Sequence, residues 1–217
     1  MDNLKQNIIK LKNILEGTNV QLIGVSKTKP KEVIKEAYES GLKDFGENYV
    51  LELLSKIEML PNDIRWHMIG HLQTNKVKAL LEKNIYLIHS VDSLKLATII
   101  DKYANFYNKT QNILLEINVT GETTKTGFNV DDLFEVLPKI IKLSNIKILG
   151  FMCMAKPGDD PTLYFKKLVQ LKNKINNEFN TNFNQLSMGM TNDYMQAISL
   201  GATYIRIGRG IFGERNT

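Results

Sequence analysis

The chain has 217 residues, of which 43% are hydrophobic and 24% charged, the balance of a water-soluble globular protein with one sizeable core. No apolar run approaches the roughly 20 residues that cross a bilayer, the amino terminus lacks the basic and apolar segments of a secretory signal, and the lone Cys153 excludes an intrachain disulfide, so a cytoplasmic, reducing compartment is expected. The net charge is +5, but the lysines are scattered beside Glu and Asp without an arginine cluster or interleaved aromatics, which argues against nucleic acid and suits attraction of a small phosphorylated ligand.

Residues 3–16 read as a helix, with Leu4, Ile8, Leu11 and Leu15 at spacings of three and four, and Gly17 stops it. From there strands and helices alternate. Strands are predicted over 20–25, 42–45, 65–69, 85–89, 112–119, 146–152, 185–188 and 203–207. Helices follow them over 31–40, 49–59, 73–82, 93–107, 130–143, 162–179 and 193–200, and a helical turn over 210–215 closes the series. Strands that alternate with helices pair in parallel through right-handed crossovers. Eight such units predict a single-domain α/β protein over 1–217, a (β/α)8 TIM-type barrel with an extra N-terminal helix. An open doubly wound sheet is the alternative, weakened because no Gly-x-Gly-x-x-Gly follows the first strand.

The chemistry-bearing residues gather where these strands end, the face on which barrels of this kind carry their sites. In Leu22-Ile-Gly-Val-Ser-Lys27 the side chains alternate, so Ile23, Val25 and Lys27 share one face. An amine there is partly desolvated and available as a nucleophile toward a carbonyl; the plainer reading is a lysine marking where the strand meets water. Gly46-Glu-Asn48 follows the second strand and Met152-Cys-Met154 the sixth. The methionines at 152, 154, 188 and 190 read as packing of the barrel mouth, and Cys153 as a buried thiol. His67 and His71 have metal-ligand spacing, but Gly70 breaks the helix this needs and no third ligand is evident. Ser187-Met-Gly-Met-Thr191 and Arg206-Ile-Gly-Arg-Gly210 end the last two strands, where barrels often hold a phosphate on a hydroxyl and on backbone N–H groups exposed at glycine. Arg206 alternates with Ile205 and Ile207, so it faces inward and needs a partner, either a ligand or a distant carboxylate such as Glu116.

Six motifs in order, Val25-Ser-Lys-Thr-Lys-Pro30, Phe45-Gly-Glu-Asn-Tyr49, Trp66-His-Met-Ile-Gly-His-Leu-Gln-Thr-Asn-Lys76, Gly121-Glu-Thr-Thr-Lys-Thr-Gly127, Leu186-Ser-Met-Gly-Met-Thr-Asn-Asp193 and Ile205-Arg-Ile-Gly-Arg-Gly-Ile-Phe-Gly213, make the chain resemble the YggS/PROSC-type pyridoxal 5′-phosphate (PLP) homeostasis proteins. These in turn resemble the barrel domain of alanine racemases. The resemblance implies that Lys27 forms a Schiff base with PLP and that Ser187, with Met188 beside it, and the Gly208 region hold the phosphate. It also implies that Arg206 meets the pyridine nitrogen and Asn48 neighbours the ring. No role carries over to Arg209; Lys125 is a candidate transient contact during cofactor handover. An arginine at the ring nitrogen weakens the electron sink, and a chain ending at Thr217 has no room for the second domain that gives racemases their opposite base. The expectation is a monomeric carrier or buffer of PLP, with apo PLP-dependent enzymes as partners and no significant turnover. The rivals are a small PLP-dependent amino-acid racemase and, more remotely, a barrel enzyme unrelated to PLP that acts on a sugar phosphate.

Overall fold

A computed structural model of the chain describes residues 2–122 and 125–214. A first helix, α1 (Asp2–Leu15), precedes eight parallel strands: β1 (Gln21–Val25), β2 (Asp44–Glu47), β3 (Arg65–Met68), β4 (Leu87–Val91), β5 (Gln111–Glu116), β6 (Ile146–Met152), β7 (Gln185–Ser187) and β8 (Tyr204–Ile207). Between them run α2 (Lys31–Glu39), α3 (Val50–Ile57), α4 (Val77–Glu82), α5 (Leu94–Phe106), α6 (Val130–Ile141), α7 (Pro161–Phe179) and α8 (Tyr194–Ser199), and α9 (Arg209–Phe212) follows β8. The strands hydrogen-bond in sequence order and β8 returns to β1, with Ile23 opposite Arg206, so the sheet closes into a barrel. That closure rejects the open doubly wound sheet.

Two hydrophobic layers follow from the alternation of side chains along each strand. Outward residues such as Leu22, Phe45, Trp66, Ile205 and Ile207 pack under the helices in the main core. Inward residues Ile23, Leu87, Leu114, Met152 and Tyr204 form a small separate cluster inside the barrel. The remaining inward positions include Lys27, Asp44, His67, His89, Ser187 and Arg206, so the interior above and beside that cluster is polar. The amino-terminal helix packs against α9 and closes onto it with an Asn7 Nδ2 to Ile211 carbonyl bond of 3.2 Å.

Three boundaries depart from the predicted ones for identifiable reasons. The second strand starts at Asp44, not 42, because Leu42 N–H is used to close α2 on the Ala37 carbonyl (3.1 Å) after Gly41 turns at φ +87°. The fifth strand ends at Glu116, because the chain beyond it pairs with its own loop: Asn118 N–H donates to the Phe128 carbonyl and Phe128 N–H to that of Glu116. The predicted helix 73–82 divides into a 3-10 turn, Thr74–Lys76, and α4. Thr123 and Thr124 of the Gly121–Gly127 motif, and Arg215 of the last expected turn, lie outside the described residues. Among the described residues no helix is long and apolar enough to cross a membrane.

Candidate functional site

A cavity of about 760 Å³ opens at the carboxyl ends of β1 and β8, and Lys27, Arg206 and Gly208 all line it together with Val25, Thr191 and Arg209. Five basic side chains (Lys27, Lys29, Lys156, Arg206 and Arg209) share its wall with three acidic ones, so it favours an anion.

Lys27 reaches the cavity from a turn and not from the strand itself. The ladder extends one residue past β1, through Ser26 N–H to the Gly46 carbonyl at 3.0 Å, and the chain then turns with Lys29 N–H on the Ser26 carbonyl. Thr28 sits at φ +65°, a conformation that β-branched residues rarely adopt and that the surroundings must impose. A buried polar group behind the strands imposes it. Ser26 Oγ donates to Glu47 Oε1 (2.6 Å), Lys56 Nζ donates to the Ser26 carbonyl (2.8 Å) and to both Glu47 and Glu52 (2.7 Å each), and Thr28 N–H donates to Glu52 Oε1 (2.6 Å). Both residues that flank Lys27 are thus pinned from one lysine–diglutamate cluster. Burial pushes the Glu47 carboxyl above its ordinary range against the hydrogen bonds from Lys56 and Ser26. Sequence reading missed this cluster. The available signals were a glutamate, Glu47, at the carboxyl end of the second strand and a Glu52–Lys56 pair at i, i+4.

Arg206 faces inward as alternation predicts and is 5% exposed. Its partners are neutral: Nη1 donates to Ser187 Oγ at 2.6 Å and Nη2 to the Cys153 carbonyl at 3.0 Å. The distant carboxylate considered for it, Glu116, instead accepts from Thr126 Oγ1 at 2.7 Å. Burial lowers the Arg206 pKa below the ordinary guanidinium value and raises that of the Cys153 thiol to about 12, so Cys153 is a packed group and not a nucleophile.

On one side the cavity is bounded by the β7–α8 loop and the start of α9. There Gly210 N–H donates to Thr191 Oγ1 at 3.3 Å, and Asp193 holds the loop by accepting from Met190 N–H. A side chain at Gly210 would meet Ile207 Cγ2 at 2.8 Å and Thr191 Cγ2 at 3.4 Å, so glycine is what lets α9 pack this closely on the β7–α8 loop. Ser187 does not join this wall. It is fully buried behind Arg206, with its oxygen also 2.8 Å from His89 Nδ1. Met188 packs into the outer core, and Asn48, half-buried after β2, has its backbone set against Gly70. Of the six expected cofactor contacts, Lys27, Arg206 and Gly208 meet in one cavity; Asn48, Ser187 and Met188 do not line it. Lys125 pairs with Glu122 at 2.6 Å, which also holds Lys156. The two histidines of the third-strand motif diverge: His67 lies inside the barrel, while His71 Nδ1 faces Asp92 at 3.2 Å. Among the described residues no cluster of His, Cys, Asp and Glu is arranged to hold a metal ion.

Comparison with known proteins places this geometry in context. Residues 1–216 match the family model described as alanine racemase, N-terminal domain. The chain is 46% identical over 199 residues to the pyridoxal phosphate homeostasis protein of Aquifex aeolicus, covering 90% of this chain and 87% of that one. It is 34% identical to the human protein of the same name, covering 99% and 84% of the two chains. PipY of Synechococcus elongatus, solved with PLP bound, superposes with a TM-score of 0.90 at 33% identity over 97% of this chain and all of its own. Clostridium difficile alanine racemase shares the fold, with a TM-score of 0.82 at 17% identity, over all of this chain and 58% of the racemase chain.

Proposed function

The chain belongs to the alanine racemase N-terminal domain family and, within it, to the pyridoxal phosphate homeostasis proteins, and from that premise we propose that it binds PLP in the cavity between β1 and β8 and stores or delivers it without turning over a substrate. The observation that carries the reading is the meeting of Lys27, Arg206 and Gly208 on one cation-rich wall. The residues fit the group. An amine lines the cavity for the aldehyde, the backbone at Gly208 and the start of α9 lines it for the phosphate, and a permanent donor, Arg206, lines it for the ring nitrogen.

When bound, PLP supplies an electrophilic aldehyde carbon and a ring that can draw electron density from it. The protein's own residues decide how far that capacity is used. The Glu47–Lys56–Glu52 cluster holds the Lys27 turn, and Thr191 with the Gly208–Gly210 backbone anchors the phosphate, so that Ser187 acts behind Arg206 and not on the phosphate. Arg206 cannot lend the ring nitrogen a proton without losing its own charge, whereas a carboxylate there would keep the ring protonated. A site so built retains the cofactor well and activates a substrate poorly, which supports a carrier over a racemase. Apo PLP-dependent enzymes are the acceptors that suit such a carrier, and a monomer leaves the cavity mouth open to them.

The test is reduction of the PLP-loaded protein with borohydride followed by peptide mass spectrometry. A pyridoxyl adduct at Lys27, absent from Lys27→Ala, is expected. An adduct chiefly at Lys29 or Lys156 would overturn the assignment.

A further inference from the structure

Inside the barrel, five polar side chains form one unbroken file. Arg206 Nη1 donates to Ser187 Oγ at 2.6 Å; that oxygen lies 2.8 Å from His89 Nδ1, His89 Nε2 lies 2.9 Å from His67 Nδ1, and His67 Nε2 lies 3.0 Å from Asp44 Oδ1. At its far end Arg65 grips Asp44 with two nitrogens, Nε at 2.8 Å and Nη2 on the other oxygen. Both histidines and Ser187 are fully buried, where a polar group without a partner is costly.

With both rings neutral, the direction of every bond in the file is fixed from its Asp44 end. A guanidinium only donates, so Ser187 Oγ accepts from Arg206 and keeps its own proton available for His89 Nδ1. A carboxylate gripped by Arg65 only accepts, so the proton on His67 stands at Nε2. A neutral His67 then has a bare Nδ1, the central bond runs from His89 Nε2–H to His67 Nδ1, and the bare Nδ1 of a neutral His89 takes the Ser187 proton. A second proton on His67 would reverse the central bond and turn His89 to the Nδ1–H tautomer, so the tautomer of each ring reports the charge state of the file. Burial lowers the pKa of both rings, against the pull of Asp44 on His67, so neutral rings suit the setting as well as the geometry.

We propose that this file is a positioning relay: Asp44, clamped by Arg65 where β2 and β3 begin, orients Arg206 through His67, His89 and Ser187, so that the guanidinium presents its remaining N–H groups to the ring nitrogen of PLP. The relay rests on the PLP-binding reading for its purpose but not for its existence. It gives the two interior histidines a task other than metal binding and gives Ser187 one other than phosphate binding. Arg206 is the group that meets the cofactor; Asp44, His67, His89 and Ser187 are positioning residues.

The polarity is read directly by long-range ¹⁵N–¹H correlation of the imidazole rings in the apoprotein, which has three histidines in all. At neutral pH two rings, lost respectively in His67→Gln and His89→Gln, should be neutral with the proton at Nε2; a Nδ1–H tautomer or a doubly protonated ring at either position overturns the relay whether or not PLP binds. The coupling is read at the cofactor. Asp44→Ala should release the His67 tautomer, shift the visible band of the bound cofactor and weaken PLP binding about three- to thirty-fold, while Asp44→Asn, whose Oδ1 still accepts from His67, should restore both. Should the alanine variant fail to fold, Ser187→Ala, which cuts the link next to Arg206, must give the same band shift and loss. An unchanged band and affinity in a folded variant would overturn the positioning role. Failure of the parent protein to bind PLP would overturn the functional reading and leave the tautomer measurement to decide the relay.

Discussion

At the scale of single residues, the site separates groups that touch a ligand from groups that hold those in place. On the proposed reading Thr191, which lines the cavity and accepts from Gly210 N–H at 3.3 Å, belongs to the first kind. A hydrogen bond to a charged group contributes about 1.5–3 kcal/mol, so Thr191→Val should weaken PLP binding about tenfold or more. Pyridoxal, which lacks the phosphate, should bind the variant and the parent equally in equilibrium dialysis. Equal losses for the two ligands would place Thr191 away from the phosphate. Lys27→Ala should abolish the covalent adduct yet leave the circular dichroism spectrum intact, since Lys27 lies in a turn at the cavity edge and not in the packed core.

At the scale of elements, the conformation of one turn depends on two strands and a helix. Residues 26 and 28 are held by a cluster drawn from β2 and α3, and Lys56 at its centre is 5% exposed. Removing one partner of a buried ion pair leaves the other charge uncompensated, at a cost on the order of 3 kcal/mol. Lys56→Met should therefore lower the urea midpoint and, by freeing the Thr28 turn, slow formation of the Lys27 adduct in stopped-flow absorbance. Adding Glu47→Gln should recover much of the stability, because the charge left behind is then removed. A single variant as stable as the parent would show that the cluster carries no net charge penalty.

At the scale of the whole molecule, the barrel determines both the pH response and the limit on chemistry. Burial pushes the Asp44 carboxyl upward, but hydrogen bonds from His67 and Arg65 outweigh it and hold the group below its ordinary value of 3.8. A carboxyl lowered on folding stabilises the native state above its unfolded pKa, and the contribution is lost as pH falls through the folded one. Acid unfolding should therefore steepen below about pH 3.8, starting from the ordinary value, and Asp44→Asn should flatten that limb of the stability curve. On the chemical side, with Arg206 in place of a carboxylate the loaded protein should exchange the α-hydrogen of L-alanine for deuterium only slowly, and should not racemise it at enzyme-like rates by chiral chromatography. Arg206→Glu should raise exchange wherever PLP is retained. Rapid racemisation by the unmodified protein would reinstate the racemase reading.

The sequence by itself determined the architecture. Alternation of period two in the strands, helical spacing between them and glycine at the stops are local signals, and eight repetitions of them leave little besides a barrel. It also determined the face of the site and the inward aim of Arg206, because alternation fixes direction once a strand is recognised, whereas Lys27 reaches the cavity from the turn beyond β1. Which groups those side chains meet is a long-range matter. Ser187 reads in sequence as a phosphate donor beside a glycine, yet β8 brings Arg206 onto it and β4 brings His89, 98 positions away, to its other side. Thr191 reads as one more polar loop residue until α9 folds against it. Asp44 and His67 are unremarkable in strands read singly, and become one file because barrel closure turns inward positions of separate strands toward a common axis. Only tertiary structure decided these pairings, since a buried polar group takes whatever partner the closed sheet delivers, and no local pattern encodes that partner.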